Sequence, residues 1–125
     1  MAKVFQLNLH HAINATGITV GNIPDSVYLV QETYFNRGKP GVRKKSHYFG
    51  SNNSRAGIYS SALQSCKFVP MYQFTDVDIA TGTLEGGSLK NPLVIASVYL
   101  DIETEKLRLP TVLPKLRELV EYLIL

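Results

Sequence analysis

A chain of 125 residues, 45% apolar and 18% charged, carries enough apolar material for one packed domain, which excludes a wholly disordered polymer. It has no apolar run near the ~20 residues of a membrane span, its first residues lack the apolar stretch and cleavage pattern of a secretory signal, and its single cysteine, Cys66, has no partner for an internal disulfide, so an intracellular setting, nucleus or cytoplasm, is expected. Thirteen Lys and Arg against ten Asp and Glu give a net charge of +3, but all ten acids lie outside residues 33–75 and seven basic residues lie within, so a polyanion such as DNA competes with a merely solvated loop as the explanation of that window.

Lys3–Leu9 reads as a first strand, with Val4, Phe5, Leu7 and Leu9 apolar. His11–Pro24 is ambiguous, because Ala12, Ile13, Ala15 and Ile18 suit a short helix that Gly17 and Gly21 weaken. Ser26–Gln31 is a short apolar run of the kind buried on both faces. Thr33–Asn53 turns irregular and basic, with a short strand expected around His47–Phe49. Strand character returns in Arg55–Ser60, Lys67–Phe74 and Asp76–Leu84. Gly86-Gly87 marks a hairpin turn, and Pro92–Asp101 is the strongest strand signal. A helix follows, with Thr111 as its expected cap, Pro114 in its first turn and Leu113, Leu116, Leu119, Val120 and Leu123 at helical spacing. Val4, Leu7, Val27, Leu29, Ile95 and Val98 are expected on one inner sheet face. The order of elements makes a mixed α/β domain with an antiparallel portion.

Three polar residues sit at the ends of apolar strands, where rigid elements present functional side chains: Asn8, Glu32 and Tyr99. A carboxylate at the edge of a buried strand must be hydrated, paired or metal-bound, so Glu32 is the most telling of the three. The plain alternatives are an exposed loop acid, an amide that satisfies nearby backbone and a core tyrosine with its hydroxyl at the surface. His10 and His11 are adjacent and in a strand would point to opposite faces, so only one of them can line a site. Asp76 and Asp78 alternate with apolar Val77 and Ile79, which places both in solvent and argues against a catalytic pair. Cys66 has no nucleophile context, and no HExxH, CxxC, GxSxG or P-loop pattern occurs.

In order along the chain, FQLNLHHA, Asp25-Ser-Val-Tyr-Leu-Val-Gln-Glu32-Thr, the glycine-bearing basic stretch Gly38-Lys-Pro-Gly-Val-Arg, Arg55-Ala-Gly-Ile58, Gln73-Phe-Thr-Asp-Val-Asp78 and VIASVYLD resemble the exonuclease–endonuclease–phosphatase superfamily with its DNase I-like fold. Within it they are most similar to the endonuclease domains of non-LTR retrotransposons. The resemblance implies the front half of a four-layer α+β sandwich, with a mixed, mostly antiparallel sheet and helices on one face. Residues 1–125 would be the N-terminal part of one such domain, stopping before that superfamily's Asp-x-Asn motif. The chain departs from the closest subgroup in reading Gln-Glu-Thr where Gln-Glu-Pro is usual.

Carried over, the resemblance implies that Glu32 is a direct ligand of Mg²⁺ or Mn²⁺, that Asn8 arranges the metal and phosphate site and that Tyr99 contacts the scissile phosphate. Arg37, Lys39, Arg43, Lys44, Lys45 and Arg55 would contact DNA phosphates. The implied activity is a metal-dependent DNA nick that primes reverse transcription. The implied partners are DNA, the rest of the endonuclease domain and a reverse transcriptase in a parent polyprotein, with no membrane. The chain alone is expected to be inactive. An abasic-site endonuclease or a phosphatase of the same superfamily is one alternative; a non-catalytic nucleic-acid-binding module is another.

Overall fold

The computed structural model describes residues 2–12, 23–37, 39–41, 46–87, 89–100 and 105–124; the ambiguous stretch after Ala12 lies mostly outside them. The nine strands among them, in chain order, are β1 Lys3–Asn8, β2 Ser26–Gln31, β3 Phe35–Asn36, β4 Lys39–Pro40, β5 Ser46–Phe49, β6 Ala56–Ser61, β7 Lys67–Pro70, β8 Ile79–Glu85 and β9 Leu93–Val98. One sheet has the order β1-β2-β6-β5, the other the order β7-β8-β9, and β3 and β4 form a two-residue ladder of their own. Among the described residues only β1 and β2 pair in parallel.

β2 organises the molecule because its side chains alternate between two apolar surroundings. Val27 and Leu29 face the second sheet and meet Ile58, Ala80, Leu84 and Ile95. Tyr28 and Val30 face the other way and pack with Leu9 and Tyr59, flanked by Phe5, Leu7 and Tyr48. A strand covered on both faces needs a continuous apolar run, which is what SVYLVQ supplies. Gln31 and Ser97 stitch the two sheets: the amide donates to the Ser97 hydroxyl at 3.0 Å, and that hydroxyl donates to the Val30 carbonyl at 2.6 Å.

The single inner face expected for β1, β2 and β9 is corrected here. Leu7 packs on the opposite side of the sheet from Val27, and Val4 is 44% exposed. β1 is an edge strand with one neighbour, so its alternation carries no burial on the outer side. Lys67–Phe74 is also shorter as a strand than expected. It breaks at Pro70, and Tyr72–Phe74 makes a 3₁₀ turn. The Gly86-Gly87 hairpin stands: both glycines have positive φ, +87° and +63°, and β8 pairs antiparallel with β9 across it.

Burial pushes the phenol of Tyr48 up, against hydrogen bonds from Ser54 and Thr33, and lifts that of Tyr59 well above the ordinary tyrosine range. Tyr48 lies across Gly57, where an added Cβ would fall 2.0 Å from its hydroxyl oxygen and 2.3 Å from its ring. Its hydroxyl is tied to Ser54 at 2.8 Å and Thr33 at 3.1 Å, so the ring cannot slide aside without breaking both. Gly57→Ala is therefore expected to destabilise the chain by about 1–3 kcal/mol, an overpacking cost. A urea melt with an unchanged midpoint would contradict this.

α1, Glu105–Ile124, begins ahead of Thr111, so the expected start is corrected: Pro110 and Pro114 both lie inside the helix. Each proline removes one i→i−4 donor, and a proline ring inside a helix crowds the carbonyl four residues back. The segment is otherwise rich in Glu, Lys, Leu and Arg, good helix formers that offset part of that loss. Leu119 packs with Met71 and Phe74, and the Tyr122 ring meets that of Phe74 at a tilt of 55° with centroids 5.3 Å apart. Leu113, Val120 and Leu123 are about half exposed. No helix is long and apolar enough to cross a membrane among the described residues.

Candidate active site

Parallel pairing brings the C-terminal ends of β1 and β2 to the same level, with Asn8 opposite Gln31. Both chains then turn sharply. Leu9, 1% exposed, anchors the first turn through its N–H to the Gln31 carbonyl at 2.9 Å. Burying such a leucine contributes about 2 kcal/mol. His10, His11 and Glu32 adopt left-handed backbone at φ 51°, 56° and 53°. Asp25, Arg37 and Asn53 do the same elsewhere, so the conformation does not single out this site; for Glu32, neither a glycine nor one of the residue types that adopt it readily, neighbours must hold it. Here the Glu32 N–H donates to the Arg55 carbonyl at 2.7 Å, and its carbonyl accepts from the His11 N–H at 2.8 Å.

The Glu32 side chain, 21% exposed, meets two groups, one from the turn after β1 and one from the end of β9. The Tyr99 hydroxyl, just past β9, points to Oε1 at 3.5 Å, the outer limit of a hydrogen bond. His10 Nδ1 lies 3.2 Å from Oε2, and the His10 N–H donates to Asn8 Oδ1 at 2.9 Å. The amide, carboxylate and phenol singled out in the sequence thus share one end of the sandwich. Asn8 is joined to the carboxylate through His10. His11 turns away, its Nδ1 against the Thr33 carbonyl at 3.2 Å.

Behind this row lies an ion pair that alternation misplaced. Asp78 is 4% exposed and takes two hydrogen bonds from Arg55, from Nε at 2.7 Å and from an Nη at 2.5 Å. The reading of Asp78 as a solvent-facing acid is corrected. Asp78 sits in a turn before β8, so strand parity does not govern it; the apolar Val77 beside it is the more exposed of the two, at 38%. The Arg55 guanidinium lies under the Tyr99 ring, 4.6 Å from its centroid. Pairing explains the placement: Gln31 is opposite Ala56, so the residue before Ala56 falls beside the residue after Gln31.

The other basic residues stand elsewhere. Arg37 and Lys39 are exposed on the β3–β4 ladder that follows Glu32, while Arg43, Lys44 and Lys45 lie outside the described residues. Asp25 belongs to the opposite end of β2. It holds the Gln64–Ser65 loop, and the Ser65 hydroxyl and the Gln64 N–H keep its carboxyl below the usual value. Cys66 is a free, partly buried thiol packed beside the inter-sheet core.

No group of three or more His, Cys, Asp and Glu gathers among the described residues. One carboxylate with an amide, a phenol and open water beside it does not suit a soft transition-metal cage. It does fit a hard divalent cation, which keeps several waters and needs only one or two carboxylates.

No family model matches the chain, and no curated protein matches it. Among solved structures, the endonuclease domain of TRAS1, a telomere-specific non-LTR retrotransposon, superposes with a TM-score of 0.62 at 16% identity. The match covers 96% of this chain and 52% of the other, so the chain spans about half the length of the domain it matches. Two sheets packed face to face, one parallel pair at the edge of an otherwise antiparallel set and an outer helix are thus the DNase I-like fold of that endonuclease domain, over about half its length.

Proposed function

We propose that this chain is the front portion of a Mg²⁺-dependent DNA endonuclease of a non-LTR retrotransposon, one that nicks target DNA to prime reverse transcription. The observation that carries this reading is the meeting of Glu32, Tyr99 and, through His10, Asn8 at one strand-end row. Glu32 would hold Mg²⁺ or Mn²⁺. When bound, such a cation polarises a phosphoryl oxygen and steadies charge at the leaving oxygen. Tyr99 and Asn8 supply neutral donors for the same phosphate, held by the fold before substrate arrives. Arg37, Lys39, Arg43, Lys44 and Lys45 take the flanking backbone phosphates as sequence-independent contacts.

The rest of the domain would supply the group that supports the attacking water and the histidine that holds the phosphate. In this reading the chain alone is inactive and works joined to that portion and to a reverse transcriptase in one polyprotein, inside the cell. The test is nicking of supercoiled plasmid. The chain alone is expected to leave the plasmid intact in Mg²⁺. Joined to the remaining half of an endonuclease domain, it is expected to nick, and EDTA to stop it. Metal-dependent nicking by the chain alone would refute its inactivity, and nicking in EDTA would refute the metal.

Binding of the chain to duplex DNA is expected to weaken with salt. Replacing Arg43, Lys44 and Lys45 together should flatten the log–log slope by up to about one unit per lost phosphate contact. A salt-independent affinity would count against DNA as the partner. DNA binding indifferent to both EDTA and Glu32→Ala is the behaviour of a non-catalytic module.

A further inference from the structure

We infer that Arg55 is a positioning residue, which acts through Tyr99 and Glu32 and not on DNA phosphate; the inference rests on the site reading above. Its carbonyl takes the N–H of Glu32 at 2.7 Å and so helps to hold that residue in its left-handed conformation. Its side chain then crosses under Tyr99 and ends in a two-bond fork on buried Asp78. Asp78 closes the circuit, because its own carbonyl accepts the Tyr99 N–H at 2.9 Å. One carboxylate residue thereby fixes both the backbone of Tyr99 and the platform beneath its ring.

Only arginine suits this place. A guanidinium is flat, so it presents one face to an aromatic ring while its edge makes parallel bonds to a carboxylate. A lysine ammonium keeps the charge but has neither the face nor the fork. An arginine serving DNA phosphate presents its donors to solvent, whereas here Nε and one Nη are turned to a carboxylate that is itself 4% exposed. Holding the phenol matters because a side chain that must meet a phosphate needs its torsions locked by neighbours to a fraction of an ångström.

The experiment is nuclear magnetic resonance of the metal-free chain. It reads the nuclear Overhauser contact between the Tyr99 ring and the Glu32 side chain, with the ring signals of buried Tyr28 and Tyr59 as the control for folding. Arg55→Lys is expected to lose the Tyr99–Glu32 contact while the Tyr28 and Tyr59 signals stay in place. The double variant Arg55→Met with Asp78→Leu removes the buried charges together. It keeps the fold if the single variant does not, and it is expected to lose the same contact. Persistence of the contact in either folded variant overturns the inference. Because this readout contains no metal, a Glu32 that fails to bind Mn²⁺ would refute the site reading without touching the placement of Tyr99.

Discussion

Glu32→Gln is expected to lower the affinity of this chain for Mn²⁺ at least tenfold, which is about 1.4 kcal/mol. The substitution removes one negative charge and almost no volume. The amide oxygen can still accept from the Tyr99 hydroxyl, and the turn is held by backbone bonds to Arg55 and His11 that the change leaves alone. Thermal stability should therefore stay within about 0.5 kcal/mol of the starting chain, because the change is nearly isosteric and strands no buried charge. Titration of free Mn²⁺ by electron paramagnetic resonance, beside a melt of each protein, reads both quantities. An unchanged affinity would mean that the ion, if bound, sits elsewhere, and the endonuclease reading would lose its centre.

Asp78→Ala is expected to cost about 3 kcal/mol of folding stability, the lower end of what breaking a buried ion pair costs. The lower end applies because the Arg55 side chain is 17% exposed and can recover some hydration, while Asp78 is 4% exposed. A small domain has only about 5–15 kcal/mol in all, so the loss takes a large share. Arg55→Met with Asp78→Leu leaves no charge stranded and should recover much of it. Urea unfolding reads the comparison through the midpoint, provided the slope is unchanged. An Asp78→Ala midpoint equal to that of the starting chain would show that the pair contributes nothing to the fold. The same comparison separates folding from positioning: the double variant is expected to be stable yet to leave Tyr99 without its platform.

These effects differ in how far they could be foreseen. Glu32 was legible because SVYLVQ has no polar break until its end, and a strand buried on both faces must release its first charged residue at its mouth. Asp78 was not. The pattern Asp-Val-Asp-Ile-Ala looks like an alternating strand, but β8 starts only at Ile79, and both Ile79 and Ala80 are buried because β8 is covered on two sides. Charge alone groups Arg55 with the loop cations, since nothing local distinguishes a guanidinium that meets water from one that meets a carboxylate 23 residues on. The start of α1 escapes the sequence for a different reason: two prolines normally bound a helix, and here they lie inside one.

By itself the sequence located the main strands and the Gly86-Gly87 turn and the polar residues that follow β1, β2 and β9, because those follow from short-range alternation, glycine and proline; it did not show the β3–β4 ladder or the true bounds of β7 and β8. The tertiary structure alone decided that the ends of β1, β2 and β9 converge, that His10 links Asn8 to Glu32 and that Arg55 and Asp78 meet beneath Tyr99. Apart from the local bond between His10 and Asn8, those contacts join residues far apart in the chain, and they exist only once sheet pairing and sheet packing have set which strand ends meet and, for Arg55 and Asp78, which side chains share a dry interior.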